Sequence, residues 1–381
     1  MKDQFPIFRH HPELIYLDSA ATTHKPDFVI DAMTHFLQSE YATVHRAAYR
    51  SSLKSTERYN EVRETARHFL NAAEAEEIVF TRGTTDSINL VARAFPFEKG
   101  DEVILSALEH HSNLVPWQMA ADERGVVLKW IPLNADGTLS LDLPLSKRTK
   151  LITVTHCSNV TGAITPLEPI VRAAKSVGAA VLVDGAQAAT HLSVDVQALD
   201  IDFYAFSGHK CYGPTGIGIL YGKKSALSQL HPLQGGGDMV VRVDLEKSSY
   251  QKPPLCFEAG TPNIVGAIGL KAALDFLQTA HKPSLLNYAR EQLEQIEGLR
   301  ILGCPEVPLI TFTIEGIHPL DLAAFLDTRN IAIRTGTLCA QPLLRFFGCE
   351  NVARASFGLY NSHKDVDLLA EALVSCLQVL V

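Results

Sequence analysis

The chain contains no Cys-x-x-Cys pair, and its seven cysteines, at 157, 211, 256, 304, 339, 349 and 376, are sparse and odd in number for 381 residues. A disulfide framework is thereby excluded, and reduced thiols in a cytoplasmic protein are expected. Fifteen histidines are present, yet none falls in a His-Glu-x-x-His or finger-like Cys/His spacing, so no metal site is expected. No strand-like run leads into Gly-x-Gly-x-x-Gly, which leaves a dinucleotide site without support. Long apolar runs are missing too. The longest candidate, Leu368–Val381, is too short for a bilayer and carries Glu371. The segment Met1–His11 lacks the basic-then-apolar layout of a secretory signal, in keeping with a cytoplasmic location. Basic residues are the minority, 34 against 42 acidic, giving 34 − 42 = −8. That balance argues against nucleic acid as the main partner, because phosphate binding needs clustered basic surface.

What is present is apolar material, 46% of the chain, enough for a large core. The length suggests two or three domains. Short β-rich runs at Ile78–Phe80, Val103–Leu105, Leu151–Thr155, Ala180–Val183, Phe203–Phe206 and Gly216–Tyr221 alternate with helical patterns. Several runs are nearly all apolar, as expected of strands covered on both faces. Tyr59, Val62, Ala66, Phe69 and Leu70 mark one helix face, and Leu167–Val177 is a second helix stopped by Gly178. The layout predicts an α/β fold with a mostly parallel sheet. Residues 232–256, with Gly235–Gly237 and Pro253–Pro254, read as a long loop of the functional or interfacial kind. A helix at Ile264–Leu277 follows. The tail then reads helix, strand (Pro308–Ile314), helix (Leu320–Leu326), strand (Ile331–Arg334), loop, strand (Ala353–Phe357), helix. Ser362 and Asp365 have capping-box spacing at the start of the last helix. These patterns predict a large domain over 17–275 and a smaller α+β domain over 276–381, with residues 1–16 packing near the latter.

The chemistry-bearing residues cluster after the strands. Ser207-Gly208-His209-Lys210 follows an apolar strand. A lysine at such a strand end faces the crevice of an open α/β sheet, where partial desolvation lowers its pKa and makes the amine nucleophilic. An isolated lysine in a turn would be an ordinary surface charge. Val181-Leu182-Val183-Asp184 shifts that balance, because it ends a second buried strand in a carboxylate 26 positions earlier, one strand–crossover–strand unit. Asp184 could serve only as a helix cap. Together, however, an anion for a pyridine nitrogen and an amine for an aldehyde are what pyridoxal phosphate chemistry requires. Arg82-Gly83-Thr84-Thr85-Asp86 lies between a strand and a helix, an arrangement suited to a phosphate or merely to a helix cap. Glu109-His110-His111 offers an imidazole that could stack on a ring, and spacing alone does not rank the two histidines. In the tail, Arg334-Thr335-Gly336-Thr337-Leu338-Cys339 places a thiol in a mobile-looking loop, a candidate nucleophile. Arg354 in an apolar strand calls for a carboxylate partner.

Taken together these segments resemble the class V, fold-type I pyridoxal phosphate enzymes, and among them the Suf-type cysteine desulfurases (SufS/CsdB). The resemblance runs from Leu17-Asp18-Ser19-Ala20-Ala21-Thr22-Thr23 to Ala353-Arg354-Ala355-Ser356, through Val44-His45-Arg46 and Phe257-Glu258-Ala259-Gly260-Thr261-Pro262-Asn263. It implies a large domain with a mostly parallel seven-stranded sheet and a smaller C-terminal domain. It also implies roles. Lys210 holds pyridoxal 5'-phosphate as a Schiff base and moves the substrate Cα proton. Asp184 pairs with the ring nitrogen, and Gln187 and Asn159 lie at the ring hydroxyl. His110 stacks on the ring. Thr84, Thr85, Ser207 and His209 hold the phosphate, joined by Thr261 from the second subunit of a homodimer. Arg354 and Asn159 meet the substrate, L-cysteine or L-selenocysteine, and His45 and Arg46 line its entrance. Cys339 receives the sulfur as a persulfide, with L-alanine as the other product. The sulfur then passes to an acceptor protein of the SufE/SufU kind for iron–sulfur cluster assembly.

The chain departs from the family at one place. Suf-type enzymes read Arg-Thr-Gly-His-His-Cys, whereas Thr337 and Leu338 precede the cysteine here. An imidazolium that would stabilise the thiolate is therefore absent from those positions. Two alternatives share the cofactor residues: a class V aminotransferase or hydrolase, which needs no loop cysteine, and a low-activity scaffold in sulfur trafficking.

Overall fold

The computed structural model describes residues 1–45, 47–280 and 284–380. Strand β1 (Ile15–Tyr16) precedes seven strands that form the main sheet: β2 (Ile78–Thr81), β3 (Glu102–Ser106), β4 (Val127–Ile131), β5 (Thr149–Thr155), β6 (Ala180–Asp184), β7 (Phe203–Ser207) and β8 (Gly218–Gly222). Their order is β2-β8-β7-β6-β5-β3-β4, and only β8 runs antiparallel to its neighbours. This is the mostly parallel seven-stranded sheet the sequence implies. Alternation within each strand feeds two cores. Ile78 and Phe80 enter one and Val79 the other; Ile104 enters the first, Val103 and Leu105 the second. Both faces are thus covered, which explains the continuous apolar runs.

The edge strand β4 was not apparent in the sequence. Its half-exposed pattern, with only Ile131 buried, does not stand out as an apolar run. The segment 232–256 also departs from expectation, because it holds an antiparallel pair, β9 (Val240–Val243) and β10 (Ser248–Tyr250). Nearly every side chain of that pair is exposed, so no burial period marks it.

The helix Ile264–Thr279 packs on the helices Asp27–Ser39 and Arg50–Leu70 and spans the position where the sequence suggests a domain change. From Leu285 onward much of the chain, with Ile15 and Leu17, forms a further core, while Leu302, Leu338, Leu343 and Val352 join the first. Strands β11 (Leu299–Ile301), β12 (Leu309–Ile314), β13 (Ile331–Ala332), β14 (Arg334–Gly336) and β15 (Val352–Ser356) follow. The four-stranded sheet has the order β11-β12-β15-β14, antiparallel throughout. The single strand expected over 331–334 is in fact two. Ile331 and Ala332 pair with Ile15 and Tyr16, whereas Arg334–Gly336 pair with β15. A β-rich run carries no mark of which partner each half takes. Before β1, Phe5 packs on Tyr212, Phe276 and Tyr360, so the N-terminal segment touches both parts of the chain.

Candidate active site

Three adjacent parallel strands, β5, β6 and β7, end side by side at Thr155, Asp184 and Ser207, with Thr155 registered on Asp184. Ligands of open α/β sheets bind outside such carboxyl ends. A cavity of about 240 Å³ opens there, lined in part by Lys210, Asp184, His110, Asn159, Arg354 and Cys339. Gln187, Thr84, Thr85, Ser207 and His209 complete the expected set on its walls.

Asp184 is buried, and its Oδ1 accepts the Ala186 N–H at 2.9 Å. Burial raises its carboxyl pKa, and the backbone hydrogen bond and Lys210 oppose that rise. Gly185 is required beside it, because a Cβ there would lie 2.1 Å from the Tyr204 ring. Lys210 closes a one-turn 3-10 helix after β7. Burial lowers its amine pKa and Arg354 adds to the effect, while Asp184 and Cys339 oppose it. The amine and the carboxylate are therefore close enough to feel each other across the cavity.

The helix Thr84–Ala94 points its N-terminus at the same space, after Gly83 at φ +148°. The Thr84 N–H and hydroxyl each lie 2.8 Å from the Ser207 Oγ. Three hydroxyls gathered at a helix N-terminus suit a phosphate. Thr85 Oγ1 lies 2.7 Å from Ser112 Oγ, which lies 3.0 Å from His110 Nδ1. That chain ties the hydroxyl-lined helix N-terminus to the imidazole. Burial, Lys210, His111 and Arg354 lower the His110 pKa to about 3, so the ring stays neutral. Beneath it Glu109, buried and raised to about 8 by desolvation, accepts from Ser106 at 2.6 Å and Asn113 at 2.7 Å. The sequence offered Glu109 no role; a fully buried carboxylate among neutral donors explains its presence. The donor set fits pyridoxal phosphate: a buried anion, a facing amine, a neutral flat ring and a hydroxyl-lined helix N-terminus.

The cysteine loop comes from the other sheet. Leu338 and Cys339 both adopt left-handed backbone angles, φ +50° and +54°, uncommon for residues with side chains. Hydrogen bonds hold that conformation. Asn159 Nδ2 donates to the Leu338 carbonyl at 2.9 Å, and the His111 N–H donates to the Cys339 carbonyl at 2.7 Å. His111 Nε2 accepts the Gln341 N–H at 3.3 Å. The two histidines thus divide: His110 lines the cavity and His111 secures the cysteine turn. Leu338 is buried, while Cys339 is exposed and faces the cavity.

Arg354 finds the carboxylate its strand position demands within the chain. Its Nη2 lies 3.2 Å from Asp18 Oδ1, and its Nη1 donates to the Asn159 carbonyl at 2.8 Å. The buried Nε has no partner. Arg334 also lines the cavity, a placement its motif alone did not assign. Two expected site residues lie elsewhere in the single chain. Thr261 is exposed and off the cavity wall. His45 lies edge-on to Tyr59 on a separate groove against the helix Arg50–Leu70. Arg46 lies outside the described residues. Among the described residues no His/Cys/Asp/Glu group could hold a metal, and no helix is long and apolar enough to cross a membrane.

The buried imidazoles set an acid limit on stability. His24, His110, His156 and His209 are lowered to about 4, 3, 4 and 4. The unfolded chain binds protons on these rings near about 6.5, where the native state does not. Their contribution is complete above that pH and is lost as pH falls toward 4. Asp18, Glu109 and Asp184 act oppositely, being raised, but they are three groups against these four imidazoles and two more, His45 and His111, that burial also lowers. The thermal midpoint of the cofactor-free protein is expected to fall as pH drops from 6.5 to 5. His156→Gln should flatten that slope by about one proton. A midpoint flat over this range would contradict the assignment.

The comparisons with known proteins agree with this geometry. The model of the family described as "Aminotransferase class-V" matches residues 15–369. The cysteine desulfurase of Serratia proteamaculans (strain 568) is 46% identical, with 98% of this chain and 96% of that protein covered. The cysteine desulfurase of Synechococcus elongatus (strain ATCC 33912 / PCC 7942 / FACHB-805) is 44% identical over 98% of this chain, which spans only 62% of that protein's length. The crystal structure of the cysteine desulfurase CsdA (S-sulfonic acid) from Escherichia coli superposes with a TM-score of 0.94 at 42% identity, covering 100% of this chain and 98% of that one. With a matching family model over nearly its whole length and relatives this similar end to end, the chain belongs to the aminotransferase class-V family.

Proposed function

We propose that the protein is a pyridoxal-phosphate-dependent cysteine desulfurase, converting L-cysteine to L-alanine and placing the sulfur on Cys339. The observation that carries this reading is that one cavity of about 240 Å³ brings Lys210, Asp184 and Arg354 together with an exposed thiol from a different sheet. An aminotransferase or hydrolase of the same family has no use for that thiol, and a scaffold has no use for the amine–carboxylate pair.

Pyridoxal phosphate, when bound, supplies an electron-accepting ring conjugated to the substrate nitrogen. Lys210 would hold its aldehyde carbon, Asp184 its ring nitrogen and Gln187 its ring hydroxyl, with Asn159 alongside. Thr84, Thr85, Ser207 and His209 would take the phosphate. His110 would cover the ring as a neutral imidazole and so add no competing charge. Arg354 would take the substrate carboxylate through the donor capacity that Asp18 and Asn159 leave open. The Lys210 amine, whose pKa burial lowers so that its basic form is favoured, would take the Cα proton and return it. The Cys339 thiolate attacks the substrate sulfur; the S–S bond forms, the Cβ–S bond breaks, and its electron pair stays with the carbon skeleton, which gains a proton to become alanine. Atoms balance without an external oxidant: cysteine plus thiol gives alanine plus persulfide.

The left-handed turn at Leu338–Cys339, held by Asn159 and His111, presents the thiol to the cavity. The persulfide would pass to an acceptor protein of the SufE/SufU kind and serve iron–sulfur cluster assembly in the cytoplasm. A homodimer would bring Thr261 to the neighbour's phosphate, and the exposed Val241, Val243 and Leu245 of the β9–β10 hairpin offer apolar surface for it to cover. L-Selenocysteine has the same shape and a weaker carbon–chalcogen bond, and would be accepted too. The test is incubation with L-cysteine followed by mass analysis. One added sulfur on the peptide bearing Cys339, with alanine released in equal amount, is expected. A keto acid with no sulfur on Cys339 would favour the aminotransferase or hydrolase reading, and no turnover of L-cysteine the scaffold reading.

A further inference from the structure

Two arginines and one carboxylate form the wall of the cavity next to β14 and β15. Arg334 and Arg354 are directly opposite each other in the β14–β15 register. Asp18 reaches both: its Oδ1 is 3.2 Å from Arg354 Nη2 and its Oδ2 is 3.9 Å from Arg334 Nη1. Both arginines line the cavity, whereas Asp18 does not and is only 15% exposed. The carboxylate therefore sits behind the guanidiniums, and the wall carries 2 − 1 = +1.

A single positive charge matches one substrate carboxylate. Without Asp18 the two cations would repel across the ladder and present +2 to the cavity, enough for a second anionic group. We infer that Asp18 is the counter-ion that limits the Arg334–Arg354 pair to one substrate carboxylate, so that the site discriminates against acidic amino acids. The inference rests on the reading that Arg354 takes that carboxylate. Asp18 touches no substrate atom; it is a positioning residue that sets the charge of the arginines that do. Its backbone has a separate structural part, a bridge to Ser356 and a carbonyl that accepts from Ala21 and Thr22. An asparagine preserves both and nearly all of the side-chain volume.

The experiment measures dissociation constants of L-alanine and L-aspartate for the holoenzyme by titration calorimetry. Asp18→Asn is expected to shift the preference about tenfold toward L-aspartate, relative to wild type. Asp18→Glu, which keeps the charge, should restore the original ratio. An unchanged ratio overturns the inference, as does an equal loss of both affinities, which is what a purely structural Asp18 would give. If Asp18→Asn does not fold, Arg334→Gln at its exposed position serves instead, because it takes the wall from +1 to 0. The ratio must then move the opposite way, and a ratio unmoved or moved toward L-aspartate overturns the inference. Arg354→Ala separates the two readings. If it leaves L-alanine affinity intact, the carboxylate reading itself is wrong. If it loses that affinity while Asp18→Asn keeps the wild-type ratio, only the counter-ion role fails.

Discussion

Cys339→Ser is expected to abolish persulfide formation and to reduce alanine release from L-cysteine by at least about 10³-fold, roughly 4 kcal/mol of barrier. The cofactor should stay bound, since no predicted cofactor contact is removed. A serine hydroxyl is a poor nucleophile toward sulfur, whereas a thiolate is a strong one. No other thiol is placed to substitute. Cys157 borders the cavity but is buried among neighbours that push its thiol well above the usual range. Cys211 and Cys376 are buried, Cys256 is raised to about 11 by burial, and neither Cys304 nor Cys349 lines the cavity. Sulfide and alanine assays beside the visible absorbance of the holoenzyme decide the matter. Near-normal alanine release by the serine variant would mean that a thiol other than Cys339 takes the sulfur from the substrate.

How much of this was legible beforehand depends on where each residue's burial is decided. Asp184 and Lys210 could be placed because each follows an apolar run, and a run covered on both faces announces a central strand whose end faces the ligand crevice. Phe203–Ser207 is buried throughout, and Ala180–Asp184 in all but its first residue. Cys339 was legible as a loop thiol, yet its left-handed turn was not, since a Leu-Cys dipeptide carries no signal for that conformation. The hydrogen bonds that hold it come from Asn159, 179 positions from Leu338, and from His111, 339 − 111 = 228 positions from Cys339. Asp18 was beyond reach for the same reason. It meets Arg354 across 336 positions, and only the pairing of the N-terminal segment with Ser356 brings them together. The β9–β10 hairpin was missed on other grounds. Periodicity reports a buried face, and in a single chain that hairpin has none. Where a pattern depends on one element it could be read; where it depends on two elements meeting it could not.

The same reasoning fixes the expectation for Lys210→Ala. With Lys210 in its proposed roles, two functions would leave with one amine: the covalent link to the cofactor and the base that moves the Cα proton. General-base catalysis alone is worth about 10²–10⁴-fold, and losing the transfer of substrate onto a preformed linkage adds to it, so kcat should drop by about 10⁴-fold or more. The phosphate cup, Asp184 and His110 remain, and pyridoxal phosphate should still bind, but without a borohydride-reducible attachment to the protein. The lysine's surroundings make a second, directional expectation. Burial and Arg354 lower its pKa, so its neutral, basic form persists to lower pH than an ordinary lysine allows. Asp184→Asn removes the anion that opposes this effect. It should shift the ascending, acid-side limb of the pH–rate profile for substrate deprotonation further toward acid, and, with Asp184 in its proposed role, slow the reaction by leaving the ring nitrogen without its partner. A profile that keeps its limb in place while only its height falls would show that Asp184 acts on the ring and not on the lysine. An alanine variant retaining more than about a hundredth of the wild-type rate would exclude Lys210 as the base.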